Sequence, residues 1–239
     1  IMIAMIISAV VAAVQGIGGP SEERTADIEC VYEYRTSDDK GREDVYSTIL
    51  QVGKRSAKFV DYSTFQLDSA RTSGASEDQV EAFRLREEKK AQYFDYAIFQ
   101  NEPAGNMTVY GTIITDRYSY TEDSKAMKWT LADDEKTICG YQCHKAECEY
   151  GGRKWTAWYS QDIPVSYGPW KLCGLPGLIL AAEDSDGANK FEAIILRNGA
   201  SAITPVSDKN ITTTTREKFV KAKNMFESDP MGNLPPESI

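Results

Sequence analysis

Apolar and polar residues alternate with a period of two along most of this chain, the spacing that turns one face of a β-strand to a core and the other to solvent. Ile28-Glu29-Cys30-Val31-Tyr32-Glu33-Tyr34, Val45-Tyr46-Ser47-Thr48-Ile49-Leu50-Gln51-Val52 and Ser56-Ala57-Lys58-Phe59-Val60-Asp61-Tyr62 are the first strands so predicted. Gly53-Lys54 suits a tight antiparallel turn between the second and third. The alternation then breaks. Ser76-Glu77-Asp78-Gln79 has the form of a capping box and opens a run of good helix formers over 80–91, which predicts one helix inserted into the sheet. Short strands resume over 93–100, 107–115, 117–121 and 127–131, separated by Asn, Asp or Gly.

Segments 141–150 and 153–160 flank Gly151-Gly152, and a two-residue primed turn favours glycine, so they read as a β-hairpin. With Tyr150 opposite Arg153, Cys148 faces Trp155, Ala146 faces Ala157 and His144 faces Tyr159, while Lys145 and Trp158 face the other side. A second hairpin is predicted from 178–182 and 190–197 around Asp184-Ser185-Asp186-Gly187. Thr214-Thr215-Arg216-Glu217 opens a terminal helix that should stop before Pro230. The fold class expected is therefore mainly β, a β-rich α+β arrangement: a curved antiparallel sheet or half-barrel with one inserted helix and one C-terminal helix. It would form a single domain over 28–229, preceded by an exposed segment over 17–27 and followed by a flexible tail over 230–239.

Between the two hairpins, Ile163-Pro164-Val165-Ser166-Tyr167-Gly168-Pro169-Trp170-Lys171-Leu172-Cys173-Gly174-Leu175-Pro176-Gly177-Leu178-Ile179-Leu180 gathers three glycines and three prolines ahead of an apolar run. Proline fixes φ and lacks a donor, and glycine reaches positive φ at little cost, so Gly174, Pro176 and Gly177 predict a sharp corner that feeds a strand buried on both faces. The corner reads first as architecture. Its glycines would also let a ligand approach the backbone closely, and Trp155, Trp158, Tyr159, Tyr167 and Trp170, with Trp129, could floor a groove for a sugar or lipid. Aromatic side chains equally fill the core of a sheet, and that reading competes with the first.

The 239-residue chain begins with an apolar run over 1–16, short for a membrane span and suited to a secretory signal peptide, so no transmembrane span is expected in the mature chain. A formal net charge of -9 without a dense Lys/Arg run excludes a nucleic-acid surface. Five cysteines, Cys30, Cys139, Cys143, Cys148 and Cys173, suggest two disulfides and one spare thiol in an oxidising compartment. A Cys143–Cys173 bridge would tie the first hairpin to the corner, but spacing leaves the connectivity open. Cys139, Cys143, His144 and Cys148 have the atom types of a zinc site, yet on one strand they project from opposite faces, so no metal is assigned. His144 is the single histidine, and no Gly-x-Ser-x-Gly elbow accompanies it. Asp184-x-Asp186-Gly187 lacks the remaining acidic positions of a calcium loop. Asp162, Glu183, Asp184 and Glu192 could supply paired carboxylates, but no spacing singles out a pair, so catalytic residues remain unassigned and no cofactor is implied.

Gly174-Leu175-Pro176-Gly177-Leu178-Ile179 spells the motif that names the GLPGLI proteins of Bacteroidota cell envelopes. Further segments resemble that family's ordered landmarks: Ile138-Cys139-Gly140-Tyr141-Gln142-Cys143-His144-Lys145-Ala146, Gly152-Arg153-Lys154-Trp155-Thr156-Ala157-Trp158-Tyr159, Asp162-Ile163-Pro164 and Gly168-Pro169-Trp170. The resemblance implies an envelope protein of mostly β structure, periplasmic or secreted, and brings no catalytic residues with it. By analogy of shape alone with periplasmic lipoprotein carriers, the leading expectation is a non-catalytic protein that binds a hydrophobic small molecule or an outer-membrane protein on its curved sheet. The alternatives are an envelope hydrolase acting on peptides or glycans, and a cysteine-based metal-binding protein.

Overall fold

A computed structural model describes residues 24–38, 40–87, 93–206 and 210–229. The expected signal peptide over 1–16 and the tail over 230–239 lie outside the described residues, as does 17–23. The strands are β1 (Ile28–Ser37), β2 (Glu43–Val52), β3 (Ala57–Asp61), β4 (Tyr96–Gln100), β5 (Asn106–Ile113), β6 (Asp116–Asp123), β7 (Thr130–Ile138), β8 (Tyr141–Tyr150), β9 (Arg153–Ser160), β10 (Leu178–Asp184), β11 (Asn189–Asn198) and β12 (Ile211–Thr213). All belong to one sheet in the order β12-β6-β5-β4-β3-β2-β1-β11-β10-β9-β8-β7. Two antiparallel meanders, β1 to β6 and β7 to β11, are thus zipped together where β1 pairs with β11. The short β12 adds in parallel to β6.

The sheet curls until its two wings meet. β6 and β8 are nine steps apart in the strand order, a path of roughly 43 Å at the usual strand spacing of ~4.8 Å. Yet Tyr150 Oη on β8 lies 3.1 Å from Glu122 Oε2 on β6. Only a strongly curved sheet satisfies both, and the face carrying these residues must be the concave one. Register shifts in β1–β11, β9–β10 and β7–β8 supply bends, because a bulge increases local twist. The main core fills the concavity with Tyr32, Leu50, Phe59, Ile98, Met107, Tyr120, Trp155 and Leu178.

Among the described residues three α-helices flank the sheet: α1 (Tyr62–Thr72), α2 (Glu77–Glu87) and α3 (Arg216–Ser228). The expected mainly β curved sheet is present, and the inserted region holds two helices where the capping-box pattern pointed to one. The capping box itself forms around α2: Ser76 N donates to Gln79 Oε1 at 3.0 Å and Gln79 N to Ser76 Oγ at 3.3 Å. The additional helix, α1, packs Phe65 on Val31, Ile49 and Val60, which face away from the concave core. Ile49 and Leu50 are neighbours on β2 and enter different clusters because successive side chains point to opposite faces. On the convex side Lys58 is buried, its charge answered by Asp68 of α1 at 2.8 Å and by Thr204 Oγ1 at 2.9 Å. Helix α3 sets Phe219 among Tyr96, Tyr118 and Tyr120, within the concave cluster. Gly111 makes room for that ring: a Cβ there would sit 2.6 Å from Phe219 Cζ.

Candidate functional site: the cleft beside the glycine-proline corner

The β8–β9 hairpin forms in the expected register, His144 opposite Tyr159 through Tyr150 opposite Arg153, with both turn glycines at positive φ (64° and 79°). From the end of β9 the chain enters the corner at 161–177 and plugs the concavity. The corner closes on itself through Gly174 N to Ser166 O, Leu178 N to Ile163 O and Ile179 N to Tyr167 O, each 3.0 Å. Gly174 adopts φ 93°, as the glycine pattern implied. Gly177 does not need positive φ. It is glycine because its Cβ would lie 2.1 Å from Ser160 O.

Polar side chains from the opposite wing grip the corner. Gln100 on β4 is fully buried, donating through Nε2 to Gly168 O and Trp170 O at 2.8 Å each. Tyr32 Oη donates to Ile179 O at 2.6 Å, and Trp129 Nε1 to Cys173 O at 2.8 Å. Lys171 Nζ reaches Glu122 Oε2 at 2.6 Å and Tyr120 Oη at 3.0 Å, and Arg216 Nε of α3 meets the other Glu122 oxygen at 2.7 Å. Burial pulls the Lys171 ammonium below its ordinary range, and the Glu122 carboxylate partly restores it. Burial raises the Tyr120 and Tyr150 hydroxyls, with the Glu122 charge adding to the effect. The two hydroxyls therefore stay protonated near neutral pH, and the network fastens both wings and α3 to the corner. Replacing Gln100 with leucine should leave two carbonyls without donors and cost about 2–6 kcal/mol, since each stranded polar group costs ~1–3 kcal/mol. A urea titration checks this; a loss below about 1 kcal/mol would mean that apolar packing alone seats the corner.

Beside the corner lies a cleft of about 640 Å³, walled by Pro164, Val165, Ser166, Tyr167, Cys173 and Gly174 on one side. Gly53-Lys54, Gln100-Asn101 and the segment from Ser124 to Lys128 complete it. Of the aromatic and corner residues singled out in the sequence, Tyr167 and Gly174 line this cleft. Trp155, Tyr159 and Gly177 are instead buried, and Trp170 packs against Trp155 and Tyr150. Trp158 faces away, beneath Lys136 Nζ at 4.3 Å from its ring, and Pro176 is exposed outside the lining. Sequence reasoning missed Lys54, Gln100, Asn101, Lys125, Met127 and Lys128. Their positions converge only through the curl of the sheet.

The remaining chemical candidates lie apart. All five cysteines are free thiols rather than the two bridges and one thiol expected; Cys139 Sγ donates to Ala193 O at 3.1 Å, and Cys173 Sγ lies 3.8 Å from Ser124 O. Burial pushes the Cys173 thiol up to about 12, so the one cysteine in the cleft wall is held protonated. His144 pairs through Nδ1 with Glu135 at 3.3 Å. Asp184 is a turn staple: it accepts from Arg153 Nη1 at 2.6 Å, Asn189 N at 3.0 Å and Asn189 Nδ2 at 2.7 Å. Asp162, Glu183 and Glu192 are exposed, and Glu192 is 3.5 Å from Lys190. Among the described residues, no group of three or more His, Cys, Asp or Glu side chains converges as a metal site.

A protein family of unknown function, Porph_ging, matches residues 151–181, from the glycine turn through β9 and the corner into β10. No curated protein matches the chain. Structures of PNGF-II in two space groups are similar, with TM-scores of 0.57 and 0.54 at 15% and 16% identity. Each likeness covers 82% of this chain and 32% of the other, so this chain spans about a third of the length of PNGF-II. At that identity the likeness shows a shared fold. A LolA superfamily protein, NE2245 from Nitrosomonas europaea, aligns over 77% of this chain and 91% of its own at 10% identity, with a TM-score of 0.30 that supports no argument about fold or function.

Proposed function

We propose that this chain is a non-catalytic binding module of the cell envelope, of the GLPGLI type, and that it takes its ligand in the cleft beside the corner. The observation that carries the reading is the double role of the family-matched segment: residues 163–177 plug the curved sheet and also wall the cleft. A volume of about 640 Å³ falls within the ~300–1,000 Å³ that small-molecule sites occupy. Met127, Pro164, Val165 and Tyr167 give the cleft an apolar wall, which favours a hydrophobic small molecule over a polar metabolite. The apolar run over 1–16 supports export to the periplasm or beyond, and the PNGF-II likeness supports a module that also occurs within longer chains. The single domain over 28–229 belongs to the same proposal.

The test is the native mass of the full chain purified from its own envelope. An excess mass lost on denaturation is expected, and Val165→Asp, which places a carboxylate on the apolar wall, should abolish it. A bare mass for the unaltered protein would overturn the reading, as would an excess that survives in the variant.

A further inference from the structure

The charge of the cleft narrows the ligand further, an inference that rests on the binding role just proposed. Lys54, Lys125 and Lys128 line the cleft, and no Asp or Glu is among its described lining residues. The chain as a whole has a net charge of -9, so this cavity reverses the sign of its surroundings. Elsewhere buried lysines are neutralised, Lys58 by Asp68 and Lys171 by Glu122. Lys125 and Lys128 are exposed and have no carboxylate pairing with their ammonium groups among the described residues. Their backbone is nevertheless fixed: Asp123 caps the short 3-10 turn Ser124–Ala126 by accepting from Lys125 N at 2.8 Å, and Ser124 Oγ donates to Gly105 O at 2.7 Å. Met127, between the two lysines, is buried, so an apolar surface and two cations are offered by one short segment.

The geometry points to an anionic amphiphile as the occupant: an apolar chain laid against Met127, Val165 and Tyr167, with a phosphate or carboxylate head between Lys125 and Lys128. Burial of the chain supplies the non-directional part of the affinity, and the lysines select the charge of the head. A neutral amphiphile would leave the lysines unanswered, and a free anion would leave the apolar wall wet.

Binding of decyl phosphate, decyl maltoside and inorganic phosphate to the full chain, each below any micelle-forming concentration, separates the possibilities. Trp129, whose Nε1 donates to Cys173 O at the cleft wall, offers a fluorescence readout. Decyl phosphate is expected to bind at least tenfold more tightly than either other probe, and the Lys125→Glu, Lys128→Glu double variant should erase that preference while keeping the native circular dichroism spectrum. Equal binding of decyl maltoside would overturn the anionic head yet leave the binding module standing. Equal binding of inorganic phosphate would overturn the amphiphile. Decyl phosphate preference unchanged in the double variant would overturn the assignment to this cleft, and no binding of any probe would overturn both this inference and the binding role.

Discussion

Gly177→Ala is expected to prevent folding, or to destabilise the protein by more than about 4 kcal/mol, a loss that single substitutions reach only by a definite mechanism. The mechanism is a collision with backbone. An alanine Cβ would lie 2.1 Å from Ser160 O, 2.6 Å from Ser160 C and 3.0 Å from Gln161 N, where β9 ends. Overpacking against side chains costs ~1–3 kcal/mol because they can rotate away. Here relief requires β9 to part from β10, with which Ser160 pairs through Leu178. Gly174→Ala provides the contrast. Its Cβ would have room, 3.8 Å from Trp129 Nε1, and suffers only from φ 93°, a strain of about 1–2 kcal/mol. Pro176→Ala, at an exposed position, should cost least. Chemical denaturation of the three variants should give that order; Gly177→Ala no more damaging than Gly174→Ala would refute the close-approach account.

The same residues show what the chain disclosed of its fold. The β8–β9 hairpin was legible down to its register because Gly151-Gly152 admits a primed turn and the alternation on either side fixes which residues face each other. The inserted capping box was legible because both of its hydrogen bonds are local. Helix α1 was not. Tyr62-Ser63-Thr64-Phe65 contains weak helix formers, and the helix depends on Asp61, whose two carboxylate oxygens accept from Ser63 N and, across the fold, from Phe94 N. The corner announced itself through its glycines and prolines, but the cleft beside it did not. Lys54, Gln100, Lys125 and Tyr167 meet because the sheet curls, and no local pattern encodes that closure. Trp155 and Tyr159 show the converse limit: alternation put both on an apolar face, and only the plug of the corner decides that this face is core rather than groove.

Raising the pH from 9 to about 11 under reducing conditions should cost this protein a few kcal/mol through its buried thiols, a sizeable part of the ~5–15 kcal/mol that stabilises a typical domain. Burial raises the Cys30 and Cys173 thiols from 9.0 to about 12; for Cys30 the neighbouring Tyr32 hydroxyl offsets part of the shift. Unfolded thiols release their protons near pH 9 while the folded ones hold theirs, so the unfolded state is favoured increasingly until the folded groups titrate as well. At ~1.4 kcal/mol per pH unit, each thiol contributes roughly 2–3 kcal/mol of loss by pH 11. Tyr32, raised chiefly by its own burial, adds to this above pH 10. Lys58 and Lys171 act in the opposite sense: burial lowers both, so the folded state sheds their protons first and gains stability as pH rises toward 10.5. Their gain is blunted by Asp68 and Glu122, and it ends where the unfolded lysines titrate, whereas the thiol loss continues to about pH 12. Urea unfolding across this range should therefore show falling stability, with the slope reduced in Cys30→Ala and again in Cys173→Ala. A flat profile in the reduced protein would refute the titration account.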